Sequence, residues 1–249
     1  MADEKKPVEG AKAPKKKMAG ATKGIITACV VAVVAAAGFG FWQWHETPQF
    51  CAAICHNMDQ YLETYLQEEG VTGVDKYGNA VSDTTAMLST RHRETMTTAK
   101  PEIRCMGCHH PVMAEQVSEA MSHISGNYYD PLTERVGEDL THWEGTQGTQ
   151  FCVNEACHAY LRGSDGLVDR SKLEDATVRL EFNPHSQHHG IELQCTECHK
   201  GHRASVLVCT GCHEHDNVAL PSGWVTYDQG EQIIAQAYGG NNMLAAKAS

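Results

Sequence analysis

The chain opens on a polar stretch and then loses charge altogether. Residues 1–23 carry Lys5, Lys6, Lys12, Lys15, Lys16, Lys17 and Lys23 against Asp3, Glu4 and Glu9, a composition that stays solvated. Gly24 to Trp44 contains no charged side chain, and Gly24 to Trp42 would span about 28 Å as a helix, close to the thickness of a bilayer core. Trp42 and Trp44 stand at its far end, where an aromatic belt belongs, and the lysines flank its start. The pattern predicts a transmembrane helix over 24–44, a cytoplasmic tail over 1–23 and an exported part over 45–249. That is a single pass through the inner (cytoplasmic) membrane with the C-terminal domain in the periplasm. A cleaved signal peptide would use Ala35-Ala36-Ala37 as its processing site, but the apolar run continues to Trp44 without a polar break, which favours retention. Ile26-Thr27-Ala28-Cys29 resembles a lipoprotein box. Too few apolar residues separate Lys23 from Cys29 for that processing, so Cys29 reads as a lone membrane-buried thiol.

Beyond the helix the periodicities are short. Tyr61 to Glu69 reads as helical, Gly70 to Asp83 as a loop, and Thr84 to Ala99 as a second helix. Pro111 opens a further helix through Ser122, and Gly126 to Gln150 reads as mostly irregular. The fold class is mostly α and irregular, with little or no sheet. No recognisable chemistry falls on the tail from Asp228 to Ser249, which is expected to reach onto a partner subunit.

Composition changes the picture. There are 11 Cys and 15 His against 5 Phe, 4 Trp and 8 Tyr, so apolar side chains alone look thin for a core and something else must fill it. The net charge of −11 argues against a nucleic-acid partner. It also divides unevenly: the tail carries net +4, while residues 45–249 carry 13 basic against 28 acidic side chains, net −15. A soluble partner recruited by that field should be basic.

Five of the cysteines are followed directly by histidine, where a histidine frequency of about 6% predicts fewer than one such pair by chance. Three of these sites have the ordinary two-residue spacing: Cys105-Met106-Gly107-Cys108-His109, Cys195-Thr196-Glu197-Cys198-His199 and Cys209-Thr210-Gly211-Cys212-His213. Two are stretched, with three residues between Cys51 and Cys55-His56 and four between Cys152 and Cys157-His158. The spacing points to covalent c-type haem, with both sulfurs on the vinyl groups and the following histidine turned onto iron. Zinc ribbons and disulfide scaffolds also use paired cysteines, but neither needs a histidine after every second one. Ten cysteines make five pairs, hence five haem c groups. A sixth haem held without a two-cysteine motif is left open by the sequence.

Ten histidines remain after attachment, twice the number that paired axial ligation needs. About four of the ten are expected to be sixth ligands, and His92, His123, His142, His185, His189 and His202 lead: His185, His189 and His202 flank motifs and His92 lies on a helix running into one. Met58 follows His56 by two residues, and a methionine on iron raises a haem potential relative to paired histidines. Whether His56 or Met58 serves the first haem stays open. A compact domain of about 205 residues has a radius of gyration of roughly 17 Å. Five haems inside it must lie nearly edge to edge and form a conducting chain.

One membrane helix, then Phe50-Cys51 with Cys55-His56-Asn57-Met58 soon after, resembles the membrane-anchored quinol dehydrogenase cytochromes that serve periplasmic nitrate and nitrite reductases. In that family the methionine matching Met58 can bind the first haem in place of the histidine matching His56, beside a menaquinol site. The stretched first and third motifs and the fifth haem depart from that pattern. The whole layout also resembles the multihaem subunit of the menaquinone reductase complex of sulfate-reducing bacteria, and the related pentahaem subunit of alternative complex III. The resemblance implies an electron-transfer subunit, not catalytic alone, between a soluble multihaem cytochrome and membrane quinone-reductase subunits acting on menaquinone. The alternatives are a quinol dehydrogenase acting by itself and a multihaem reductase with an open iron.

Overall fold

The computed structural model describes residues 20–54, 58–94, 103–110, 112–186, 193–213 and 219–238. The chain divides into two compact units, Met1–His45 and Glu46–Ser249. In the first, α1 (Gly20–His45) has no buried residue and reaches a mean hydropathy of 2.3. It is a candidate membrane span or signal segment, longer at both ends than the uncharged run.

The second unit is built from short helices joined by loops. It contains α2 (Pro48–Ile54), α3 (Asp59–Leu66), β1 (Gly73–Val74), β2 (Ala80–Val81), a 3-10 turn at Thr84–Ala86, α4 (Leu88–Glu94), α5 (Cys105–Cys108) and α6 (Met113–Ser125). There follow a 3-10 helix at Gly137–Glu144, α7 (Gly148–Cys152), a 3-10 turn at Ala159–Leu161, α8 (Arg170–Thr177), α9 (Cys195–Cys198), β3 (Val206–Leu207), a 3-10 turn at Val208–Gly211, β4 (Val225–Thr226) and α10 (Tyr227–Tyr238). Described sheet is confined to an antiparallel β1/β2 hairpin and a parallel β3/β4 pair, so the mostly helical and irregular reading holds.

Local chemistry explains most of these boundaries. Asp169 caps α8 by accepting the backbone N–H groups of Ser171 and Lys172, and Asp83 caps the turn at Thr84 in the same way. Thr226 and Gln229 make a reciprocal capping box: Thr226 N–H donates to Gln229 Oε1 at 2.9 Å and Gln229 N–H to Thr226 Oγ1 at 3.3 Å. The loop expected at 70–83 contains the hairpin, because Asp75 Oδ1 accepts N–H bonds from Tyr77 (2.8 Å) and Asn79 (2.9 Å) and closes a tight turn. The second predicted helix is shorter than expected within the described residues: Met87 is extended, and α4 starts only at Leu88. Of the C-terminal segment, residues 239–249 lie outside the described residues. Residues 227–238 form α10, which packs on this same unit, with Tyr227 N–H bonded to Thr210 Oγ1 at 2.7 Å and its ring against Gly211.

The described apolar core is small: a cluster of Val81, Ala86, Met87 and Ala204, flanked by Trp224 and Val225, with Tyr65, Val153, Leu161, Val206, Leu207 and Ala237 also buried. Around it, a backbone ladder joins segment 86–89 to segment 200–205. Leu88 N–H donates to Lys200 O (2.9 Å), Ser89 N–H to Gly201 O (2.9 Å) and Ser205 N–H to Ala86 O (3.1 Å), and Val225 N–H bonds Ser205 O at 2.9 Å. This ladder ties α4 to the loop after α9. Beside it, a buried ionic group gathers Lys76, Lys200 and Arg203 around Glu134. Arg203 Nε pairs with Glu134 Oε1, Arg203 Nη2 donates to Oε2 at 3.0 Å, and Lys200 Nζ lies 3.6 Å from Oε2. Burial alone would raise the Glu134 carboxyl, but the Arg203 hydrogen bonds and the surrounding cations hold it below the usual range. Burial lowers Lys76 to about 8 despite Glu134.

Gly223 closes this core from the β4 side. Its φ is +74°, and a Cβ there would meet the Asp83 carbonyl oxygen at 2.1 Å. Gly223→Ala should therefore destabilise the unit by more than about 1 kcal/mol. The check is a fall in thermal midpoint of the haem-loaded protein by several degrees, of the order of 2–4 °C per kcal/mol at this size.

Candidate haem-binding sites

Each described motif closes on itself through one repeated bond. The histidine N–H donates to the carbonyl of the first cysteine: His109 to Cys105 (2.8 Å), His199 to Cys195 (2.9 Å), His213 to Cys209 (3.0 Å) and His158 to Cys152 (3.1 Å). The stretched third motif thus keeps the closure of the regular ones. Its additional residues fold outward around Asn154, whose Oδ1 accepts Ala156 N–H at 2.8 Å and whose Nδ2 donates to Phe151 O at 2.6 Å, while Val153 is buried. Cys51 lies in α2, and Met58 stands at the N-cap of α3. Cys55, His56 and His189 lie outside the described residues.

Consecutive motifs meet through their cysteines. The Cys51 and Cys105 thiols are in hydrogen-bonding contact, as are those of Cys152 and Cys195. Burial raises the Cys108 and Cys198 thiols, and Cys157 lies close enough to the first and Cys209 to the second to add to that rise. Cys198 also accepts from the backbone of Val208 at the head of the fifth motif.

Three attachment histidines face a distant histidine. Ring centroids are 6.3 Å apart for His109 and His202, 6.1 Å for His92 and His158, and 6.2 Å for His185 and His199. A metal–imidazole bond of about 2.0 Å on each side of one ion puts the two ring centres close to this separation. The interplanar angles are 20°, 86° and 4° in the same order. His123 lies against Tyr128 and His142 against Trp143, at 5.1 and 5.5 Å; neither belongs to these three pairs. His110 Nδ1 meets Glu144 Oε2 at 3.2 Å.

The far member of each pair is oriented by its second ring nitrogen. His202 Nδ1 lies 2.6 Å from Thr64 Oγ1, and His185 Nδ1 lies 3.2 Å from Thr177 Oγ1. Both threonine hydroxyls donate to carbonyls, Thr64 to Tyr61 (2.9 Å) and Thr177 to Leu173 (2.7 Å), so each accepts the imidazole N–H. His92 Nδ1 bonds Leu88 O at 2.9 Å. In all three, Nε2 keeps its lone pair, which is the tautomer a metal ligand needs. Burial lowers His202 to about 3 and His199 to about 4, with the neighbouring histidines adding to it, and it depresses His158 and His185 in the same direction. The imidazoles are thus held neutral. Tyr61 packs edge-on to His202 and Trp224 edge-on to His199, each at 5.1 Å.

The donor set fits covalent haem: thiols in pairs, a closed turn carrying one imidazole, and a second imidazole at ligating separation. Sequence reasoning named His92, His185 and His202, but it missed Thr64, Thr177 and the Leu88 carbonyl. Only the last had a local signal, the four-residue step back along a helix from His92.

The cytochrome c3 family description matches residues 138–214, a stretch that contains the third, fourth and fifth motifs. The chain is 46% identical over 214 residues to the cytochrome c-type protein Cgr1 of Eggerthella lenta, covering 86% of this chain and 91% of that protein. No solved structure matches. With that identity over nearly the full length of both chains, and with the attachment turns described above, this chain belongs to the multihaem c-type cytochromes and carries covalently bound haem c.

Proposed function

We propose that the chain is a membrane-anchored pentahaem electron carrier in which at least three irons are held between two histidines: His109 with His202, His158 with His92, and His199 with His185. The observation that carries this reading is the repeated 6.1–6.3 Å ring separation in three long-range pairs. Haem iron, when bound, cycles between ferric and ferrous states and passes one electron at a time. The protein's part is to close each iron to other ligands and to hold neighbouring groups close. Neighbouring cysteines, two pairs in hydrogen-bonding contact and two within electrostatic reach, run from the first motif to the second, third, fourth and fifth in turn, which supports a single conducting chain in sequence order.

The first motif forms the quinone-side end of this proposed chain. Cys51 follows the last residue of α1 by six positions, and the basic tail before α1 supports a cytoplasmic N-terminus with residues 45–249 in the periplasm. The other end exchanges electrons with a soluble redox protein, and the net −15 on residues 45–249 favours a basic cytochrome as that partner. Membrane subunits acting on menaquinone complete the proposed assembly. The name of the Eggerthella lenta relative supports only the cytochrome part of this reading.

Three measurements test it. Pyridine haemochrome analysis of the solubilised full-length protein should give five haems per chain, with low-spin EPR signals; a high-spin signal that moves with added nitrite would instead support a reductase with an open iron. Electron exchange with a small basic multihaem cytochrome should slow severalfold between about 0.01 and 0.15 M salt, where the screening length falls from about 30 to about 8 Å. A salt-insensitive rate removes the electrostatic partner. Finally, a menaquinol analogue should exchange electrons with the chain only when its membrane partners are co-purified, whereas direct reduction of the isolated chain would mark it as a quinol dehydrogenase acting alone.

A further inference from the structure

We propose that Thr64 is a positioning residue shared by two of the paired sites, holding His202 through its hydroxyl and the helix that carries His92 through its carbonyl. This rests on the paired ligation proposed above. Thr64 lies in α3 and is 0% exposed. Its single hydroxyl proton is committed to Tyr61 O at 2.9 Å, so the oxygen meets His202 Nδ1 at 2.6 Å as an acceptor and leaves Nε2 unprotonated in a ring whose centroid lies 6.3 Å from that of His109. The carbonyl of the same residue accepts the Thr90 hydroxyl at 2.7 Å. Thr90 is also 0% exposed and stands in α4 two residues before His92, whose ring pairs with His158. One buried residue therefore links the ligand sets of the second and third motifs. Thr177 performs the hydroxyl role for His185 and serves as an internal comparison.

The two linked sites can be read apart because their rings differ in orientation. The His109 and His202 planes are 20° apart, and those of His92 and His158 are 86° apart. Near-parallel imidazoles split the iron d orbitals that interact with the rings and give a rhombic low-spin EPR spectrum. Perpendicular imidazoles leave those orbitals nearly degenerate and give a large-gmax spectrum. A hydrogen bond from Nδ1–H makes an imidazole the stronger donor to ferric iron, so its loss should raise the midpoint potential of that site.

The test uses the full-length, haem-loaded protein in detergent, with haem content measured by pyridine haemochrome, EPR at low temperature and a spectroelectrochemical titration. Thr64→Val keeps the shape and the carbonyl. It should leave the haem count and the large-gmax signal unchanged, alter one rhombic signal and move one midpoint potential upward. Thr64→Ser should restore the parental spectrum and potential. Thr90→Val should shift the large-gmax signal and leave the rhombic ones in place. If Thr64→Val matches the parent in both spectrum and titration, or Thr90→Val leaves the large-gmax signal untouched, the shared role is overturned. Thr90→Val decides the matter if Thr64→Val does not assemble. A parent protein that itself lacks a large-gmax signal overturns the paired ligation of His92 and His158, a result distinct from failure of Thr64 to influence it.

Discussion

An ion bound between two imidazoles fixes how far apart their rings can stand, and this chain meets that distance three times with residues from separate segments. The rest of the second unit can be understood as the means of holding those separations. Attachment turns supply one ring of each pair through a closure of the histidine N–H onto the first cysteine carbonyl. The opposing rings come from α4, from the loop after α9 and from the segment after α8, and each is locked by a hydrogen bond on its other nitrogen. Such bonds fix both the tautomer and the direction of the lone pair, which a side chain free to rotate would not present reliably.

Backbone pairing carries the long-range part of the work. The ladder between 86–89 and 200–205 brings the start of α4 beside the loop holding His202, so the rings of two of the pairs depend on one set of amide bonds. The ionic group around Glu134 reinforces the same region. Three largely buried cations around one carboxylate would be costly without close pairing, and Arg203 provides it with two bonds to Glu134. Lys76 instead donates to Leu132 O at 2.7 Å and lies over the Tyr61 and Tyr77 rings. Because Lys200 and Arg203 directly follow His199 and His202 in the chain, this group also fixes the backbone next to two of the paired imidazoles.

The stretched third motif shows how a change in spacing can be absorbed. Two residues more than the regular spacing would displace the histidine if the chain stayed helical, yet His158 still closes on Cys152. Asn154 makes this possible by folding the insertion into a side-chain-backed turn. The perpendicular ring pair at this motif, against the near-parallel pairs at the two regular ones, is the geometric feature that sets it apart.

The sequence by itself determined the features that depend on neighbouring residues. The uncharged run gave the long N-terminal helix, the Cys-His pairs gave the attachment turns, and the shortage of apolar side chains matched a unit with a small core. Capping residues such as Asp169 and the Thr226-Gln229 box were equally local. Other features came only from the tertiary structure. Position relative to the motifs put six of the ten spare histidines forward, but it did not separate His202, paired with His109, from His123, which packs on Tyr128. Thr64 and Thr177 look like ordinary helix residues until the chain returns from far away to place an imidazole against each hydroxyl. The same holds for α10, whose place on the fifth motif depends on Gly211 leaving room for Tyr227. Covalent spacing acts over a few residues and can be read in one dimension; a pair of rings 6 Å apart is a property of two distant segments, and only packing decides which segments meet.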